Sequence, residues 1–123
     1  MRLAVTGSRH WKNEKQIHDE LDALHNKWDI TVIIHGGAHG VDKFADNWAM
    51  ERGIPRIFVR PSPQKLEAMR TVRKKYLRRN DIIIDISDQV IAFRSHGVSN
   101  GTDYTATKAK GLGKLIKVVE EKE

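Results

Sequence analysis

Five short apolar runs alternate along this chain with amphipathic stretches, and this alternation constrains the fold more than any other feature. The runs are rich in β-branched residues and predict strands at 3–5, 30–34, 57–59, 90–93 and 115–119. Four of the runs are largely apolar, which is typical of parallel strands covered by helices on both faces. The pattern predicts an α/β fold, a three-layer sandwich of about five mainly parallel strands with helices on both faces.

The segments between the predicted strands carry helix signals. Asn13 and Gln16 stand at capping-box spacing. Apolar residues then follow at helical spacing: Ile17, Leu21, Leu24 and Trp28. A second helix is predicted from Val41 to the helix-ending Gly53, and a last one over 103–110. A long third stretch carries on one face Leu66, Met69, Val72, Tyr76 and Ile83.

Length and composition narrow the class of protein. A chain of 123 residues is long enough to bury one core, so we expect a single domain over residues 1–123. The absence of cysteine excludes disulfides, a thiolate nucleophile and cysteine-ligated metals, and favours a reducing, cytoplasmic setting. The first residues do not resemble a signal peptide and no run is long enough to span a membrane, so no membrane partner is expected.

The loops that follow the first two strands are where ligand-binding residues are expected, since ligands of parallel sheets bind at the carboxyl ends of the strands. The first loop offers a tight turn, a hydroxyl and a guanidinium at Gly7, Ser8 and Arg9. In the second loop, a glycine-rich turn opens a helix, which predicts an anion site at Gly36, Gly37, Ala38 and Gly40. Asp42, in the first helical turn, either caps that helix or accepts from a ribose hydroxyl.

A third loop of the same kind follows the fourth strand. Ser95, Gly101 and Thr102 lie in it, so two glycine loops on one sheet edge predict a shared phosphate and ribose pocket. Arg79 and Asn80 fall on or beside the apolar face of the third helical stretch. Inward-facing polar side chains need partners, which here are either a loop backbone or a ligand.

These motifs together resemble the YspA-related branch of the SLOG superfamily. The residues that carry the resemblance are 5–11, 36–42, Trp48-Ala49, Arg79-Asn80, Gly101-Thr102, Ala109 and Gly111. The resemblance implies a Rossmann-like fold that binds a nucleotide or nucleotide-derived phosphorylated ligand, as a sensor or sequestering module in phage or bacterial conflict systems. It implies no further cofactor.

The same resemblance makes hydrolysis the second hypothesis. Phosphoribohydrolases of the superfamily carry a glutamate that assists cleavage of the N-glycosidic bond, and the matching position here is Thr105. A hydroxyl cannot replace a carboxylate in that role. If the chain is an enzyme, Asp42 or Asp103 must supply the carboxylate, so recognition of a ligand is the leading expectation.

Three further hypotheses concern charge, metal and assembly. The net charge is +6, with the excess concentrated between Lys65 and Arg79, so single-stranded nucleic acid is a further possible partner. Loop histidines at the predicted ligand edge could gather a metal, although their spacing matches no standard motif: His10, His35, His39 and His96. We therefore predict no metal site. A homo-oligomer could form through Phe44, Trp48 or the third helix.

Overall fold

The computed structural model describes residues 1–61, 72–97 and 100–122. Within these residues, strands and helices alternate along the chain in the predicted order. The strands are β1 (Arg2–Gly7), β2 (Val32–His35), β3 (Arg56–Phe58), β4 (Gln89–Arg94) and β5 (Leu115–Glu120). The helices are α1 (Glu14–Trp28), α2 (Val41–Glu51), α3 (Val72–Ile86) and α4 (Asn100–Gly111).

The strands form a parallel sheet in the spatial order β3-β2-β1-β4-β5. From β1 the chain proceeds outward to β2 and β3, and it then crosses back to β4 on the other side of β1. The loops that follow β1 and β4 therefore lead away in opposite directions. Such a reversal opens a crevice at the carboxyl edge of a doubly wound sheet. The predicted α/β fold is confirmed.

Helices cover both faces of the sheet because alternate strand residues point to opposite sides. Leu3 and Val5 of β1 pack in one apolar layer with Trp48 of α2. Ala4, between them, packs in the other layer with Ile84 of α3. Trp48 is fully buried, so its indole belongs to the core and not to a surface that could bind another subunit.

Helix α1 begins at the predicted cap, but only half of the predicted capping box forms. The Asn13 side chain accepts a hydrogen bond from the Gln16 amide at 3.1 Å. The Gln16 side chain instead donates to the Glu120 carbonyl at 2.8 Å and accepts from the Lys122 amide at 2.9 Å. It is drawn away because β5 ends beside it, and the two bonds tie α1 to the last strand.

The segment between α1 and β2 differs from the predicted boundaries. Trp28 was predicted on the apolar face, yet its side chain is 43% exposed. The helix ends there because Asp29 takes a left-handed backbone conformation, with φ of 52°. Ile30 and Thr31 were predicted as part of the second strand and lie before it, since β2 begins at Val32.

Helix α4 starts at a position that the sequence pattern did not give, and helix α3 is described only in part. Helix α4 begins at Asn100, three residues before the predicted start at Asp103. Helix α3 is described from Val72, and Leu66 and Met69 of the predicted apolar face lie outside the described residues. In the described ranges no helix has the length and apolarity that a membrane crossing requires.

Candidate functional site

A pocket of about 320 Å³ lies at the carboxyl edge of the sheet, in the crevice between the loops after β1 and β4. The loop after β2 and one side of α3 complete its wall. Its predicted lining residues are Gly7, Ser8, Arg9, Gly36, Ala38, Asp42, Arg79, Asn80, Ser95, Gly101 and Thr102. The fold thus gathers residues that stand up to 95 positions apart in the chain, from Gly7 to Thr102.

The loop after β1 forms the tight turn at the base of the pocket. A Cβ at Gly7 would lie 2.6 Å from the Phe93 carbonyl oxygen and from Cγ2 of Val41, so glycine allows β1 to end close to both β4 and α2. Ser8 is buried, and its Oγ accepts a hydrogen bond from the His10 amide at 3.1 Å. The Ser8 hydroxyl therefore holds the turn as well as lining the pocket.

The loop after β2 is organised around the carboxylate of Asp42. One oxygen of Asp42, Oδ2, accepts from the Gly36 amide at 3.1 Å and from the Ala38 amide at 3.2 Å. The Gly37 amide donates to Nδ1 of His35 at 2.9 Å. The three amides that we expected to face a phosphate thus bond to protein side chains, two to the Asp42 carboxyl in the first turn of α2 and one to the His35 ring.

Gly40 does not line the pocket but allows two loops to meet. Its φ is 72°, and a Cβ there would overlap the Ser8 carbonyl oxygen. The next amide, that of Val41, donates to that same oxygen at 3.2 Å. Glycine is needed at this position because the backbone is left-handed and the β1 loop lies against it. The role that the structure gives Gly40 is to join the first two loops.

Asp42 places a carboxyl group in the wall of the pocket. Its side chain is buried, and burial raises the pKa of the Asp42 carboxyl above its ordinary value. The hydrogen bonds from the Ala38 and Gly36 amides and the positive charge of Arg79 act in the opposite direction and favour the carboxylate. A buried carboxyl held by two amides has a fixed orientation, which suits it to recognise a ligand hydroxyl.

Arg79 crosses from α3 to the backbone of the opposite loops. Its Nη1 donates to the Gly36 carbonyl at 2.7 Å and to the Val59 carbonyl at 3.3 Å, and its Nε donates to Oδ1 of Asn80 at 2.8 Å. Burial lowers the pKa of Arg79, while the nearby Asp42 carboxylate raises it. Of the two partners that we considered for Arg79, loop backbone or ligand, the structure shows the loop backbone, and the side chain still lines the pocket.

The loop after β4 and the start of α4 form the opposite wall. Gly101 and Thr102 lie in the first turn of α4, where backbone amides and the positive end of the helix dipole favour an anion. Ser95 lines the same wall, and its hydroxyl donates to Glu121 at 3.0 Å. This wall is a second place where a phosphate could bind, and no carboxylate of α4 is among the lining residues.

Thr105, which replaces the glutamate of the hydrolases, and the candidate catalytic residue Asp103 are both absent from the pocket lining. Thr105 is buried, and its hydroxyl donates to the Gly101 carbonyl at 3.0 Å, one turn back along the helix. Asp103 accepts from Nε of Arg94 at 3.0 Å and is not among the lining residues. Of the two proposed catalytic carboxylates, the structure brings only Asp42 to the pocket.

Arg9 is the exposed cation of the site. It lies at the rim, and among the described residues no carboxylate is within ion-pair distance of its guanidinium. A guanidinium in this position can bind phosphate bidentately without first breaking an internal pair. Arg9 and Arg79 thus differ: Arg9 is exposed at the pocket, whereas Arg79 is bonded to the loop backbone.

Some lining residues escaped the sequence analysis as site residues. Tyr76 and Ile83 were assigned to the apolar face of the third helix, and both line the pocket because that end of α3 faces the crevice. Tyr76 is 43% exposed, with the Arg79 guanidinium 5.3 Å from its ring centroid. The sequence signal that could have identified Tyr76 as a site residue is its place three residues before Arg79 and Asn80.

The loop histidines do not gather into a metal site. His35 pairs through Nε2 with Asp46 at 2.8 Å, whereas His10 and His96 line the pocket and His39 lies beside it. Across the residues that the structure describes, no group of three or more potential ligands could hold a metal ion. Because Nδ1 of His35 accepts from the Gly37 amide, its proton lies on Nε2 and points to Asp46.

The architecture and its crevice define a Rossmann-like α/β protein, and comparison with known sequences narrows the class. The sequence model of the YspA, cpYpsA-related SLOG family matches residues 1–65. Gene 61 protein of Mycobacterium phage D29 is 31% identical over 113 residues, which cover 91% of this chain and 90% of the phage protein. The chain belongs to the YspA, cpYpsA-related SLOG family, as its motifs predicted.

A solved structure supports the fold independently of close sequence similarity. The X-ray structure of TM1055, a structural genomics target, superposes with a TM-score of 0.64 at 18% sequence identity. The match covers 94% of this chain and 72% of TM1055. At this level of identity the similarity concerns the fold alone, and it confirms the Rossmann-like prediction.

Proposed function

We propose that this protein binds a nucleotide or nucleotide-derived phosphorylated ligand in the pocket between the β1 and β4 loops, as a sensor or sequestering module. The observation that carries the proposal is the buried, amide-held carboxylate of Asp42 in one small pocket with Arg9 and the first turn of α4. A carboxylate accepts from sugar hydroxyls, while a guanidinium and a helix N-terminus bind phosphate. A phosphorylated ribose offers both groups.

The charges favour one orientation of the ligand. The amides of Gly36 and Ala38 already bond to Asp42, and the carboxylate repels a phosphate from that side. We therefore assign the ribose hydroxyls to Asp42 and the phosphate to Arg9 and the first turn of α4, near Gly101 and Thr102. This reverses the expectation that the glycine-rich loop after β2 cradles the phosphate, since that loop contains its own anion.

Recognition without turnover is favoured by the place of Thr105. The position that carries glutamate in phosphoribohydrolases is buried in α4 and bonded to the Gly101 carbonyl. The Thr105 hydroxyl is bonded to the helix backbone, and Thr105 does not line the pocket. The leading proposal therefore assigns the site to binding.

Thermal unfolding in the presence of ligands tests the proposal. The panel contains ribose 5-phosphate, nucleoside monophosphates and ADP-ribose, and ligands that bind the folded state raise the melting temperature. We expect a shift with at least one phosphorylated member and a smaller shift with the matching nucleoside. Absence of any shift at millimolar concentration would contradict the proposal. Asp42→Asn should lower affinity for the ligand found, because an amide oxygen accepts less strongly than a carboxylate.

A second candidate function is hydrolysis of a nucleotide N-glycosidic bond, and one observation favours it. Asp42 is a buried carboxyl that lines the pocket and whose pKa is raised by burial, as in many catalytic carboxyls. If the protein is such an enzyme, free base should be released from nucleoside monophosphates or ADP-ribose, and Asp42→Asn should abolish the release. If the protein binds these nucleotides but releases no detectable base, hydrolysis is excluded and only the binding function remains.

A further inference from the structure

A second cavity adjoins the candidate site, and its volume is about 610 Å³ against about 320 Å³ for the first. The residues shared by the two linings are Arg9, Gly36, Ala38, Tyr76 and Arg79. The cavities therefore adjoin each other, and two guanidinium groups lie where they meet. A ligand that fills the first cavity can extend into the second past these cations.

Two aromatic rings line the second cavity: Phe58, which is absent from the first cavity, and Tyr76, which the two cavities share. Phe58, at the end of β3, is 47% exposed, and Tyr76 is 43% exposed. The Arg60 guanidinium lies 4.8 Å from the Phe58 ring centroid, and the Arg79 guanidinium lies 5.3 Å from that of Tyr76. Exposed rings paired with guanidinium groups are the features on which nucleic-acid bases stack.

The loop after β2 is shaped to hold the Phe58 ring at the cavity. A Cβ at Gly37 would overlap that ring, and the φ of Gly37 is 73°. His35 lies 5.7 Å from Phe58 between ring centroids, with its planes tilted by 32°. Since the Gly37 amide also bonds to His35, the ring rests on a fixed turn and not on a loose loop. Phe58 is thus positioned although nearly half of it is exposed.

We propose that this second cavity is a base-stacking subsite and that the ligand of the protein is a dinucleotide. The proposal rests on the proposed nucleotide function. The 5′-phosphate of one nucleoside lies at Arg9 and the first turn of α4, and its 2′-hydroxyl bonds to Asp42. Its 3′-phosphate, which links the two nucleosides, lies at the junction of the cavities near Arg79, and the second base stacks on Phe58 and Tyr76. A second base adds stacking that a mononucleotide lacks.

Isothermal titration calorimetry with matched ligands tests this assignment. For each of the four bases the probes are the nucleoside 5′-monophosphate, the nucleoside 3′,5′-bisphosphate and the 5′-phosphorylated homodinucleotide. The bisphosphate adds the second phosphate without the second base. We expect a dinucleotide to bind at least about fivefold more tightly than its bisphosphate, the lower end of what one stacked base contributes. Equal affinities of these two would overturn the proposal.

Variants of Phe58 locate the effect. Phe58→Ala, and Phe58→Leu, which keeps apolar volume but removes the aromatic face, should weaken dinucleotide binding at least about fivefold. Binding of the monophosphate should change less than twofold. Trp28→Ala is the matched control. Trp28 is also an exposed aromatic residue, at 43%, but it is the last residue of α1 and lies away from this edge of the sheet. Equal losses for mononucleotide and dinucleotide in both Phe58 variants would overturn the subsite.

The outcomes separate this proposal from the one on which it rests. If monophosphates bind and dinucleotides bind no more tightly, the subsite is wrong and the nucleotide function stands. If no probe binds to the folded protein, both are wrong.

Discussion

The Arg79 guanidinium lies directly against Gly36, with Nη1 donating to the Gly36 carbonyl at 2.7 Å. These residues are 43 positions apart, and their contact fixes α3 against the loop after β2. A Cβ on residue 36 would overlap the guanidinium. Glycine at this position therefore leaves room for the Arg79 guanidinium against the backbone.

Gly36→Ala should destabilise the fold. The added methyl group must displace a buried, hydrogen-bonded side chain, and such overpacking costs about 1–3 kcal/mol. Urea unfolding measures the loss. Gly111→Ala is the control, because a Cβ there meets nothing within 4 Å, and it should be neutral or stabilise by up to about 1 kcal/mol.

A double-mutant cycle tests whether Arg79 is the cause. In an Arg79→Ala background the methyl group has room, so Gly36→Ala should cost less there by at least about 0.5 kcal/mol. If the two substitutions change the free energy of unfolding additively, the methyl group added at position 36 clashes with a group other than Arg79.

Asp42 should give the stability a characteristic pH dependence. Because burial raises the pKa of this carboxyl in the folded protein, the folded chain keeps the proton at pH values where the unfolded chain has lost it. The stability from this group is therefore present at low pH and falls as the pH rises from about 3.9 through the folded pKa. Asparagine does not titrate.

The free energy of unfolding of the wild type minus that of Asp42→Asn should thus decrease over this window and then become constant. Chemical denaturation from about pH 3.5 to about pH 7.5 measures the difference. A difference that increases with pH would mean that the amides and Arg79 outweigh burial and lower the pKa.

Arg9→Gln should weaken ligand binding with little change in stability. Arg9 is exposed at the rim, so the melting temperature without ligand should stay near that of the wild type. Loss of a charged hydrogen bond to phosphate should lower the affinity for a bound nucleoside monophosphate about tenfold or more. The difference in affinity between Arg9→Gln and the wild type should become smaller as the salt concentration increases.

Lys27→Gln removes another exposed cation, near the C-terminal end of α1, and serves as the control for Arg9. Calorimetric titration of both variants measures the effect. Equal affinities for Arg9→Gln and the wild type would remove Arg9 from the site.

The sequence alone determined the fold class and the edge at which the pocket lies. Apolar β-branched runs separated by amphipathic stretches require a helix-covered parallel sheet, because both faces of such strands must be buried. Strands of one direction end at one edge, so the loops that carry Gly7, Gly36 and Gly101 had to approach each other. These inferences need only the local pattern of apolar residues and the hydrophobic periodicity of each strand and helix.

The roles of individual residues were decided by tertiary structure. That the amides of Gly36 and Ala38 bond to Asp42, and that Arg79 packs on Gly36, depends on distances between separate elements. The same holds for Phe58, which as a strand residue carried no sign that its ring would lie beside Tyr76 at a cavity. The hydrophobic periodicity of a segment predicts which face of its helix or strand a side chain occupies. The residue that this side chain contacts depends on how the helices and strands pack, and that packing forms the site.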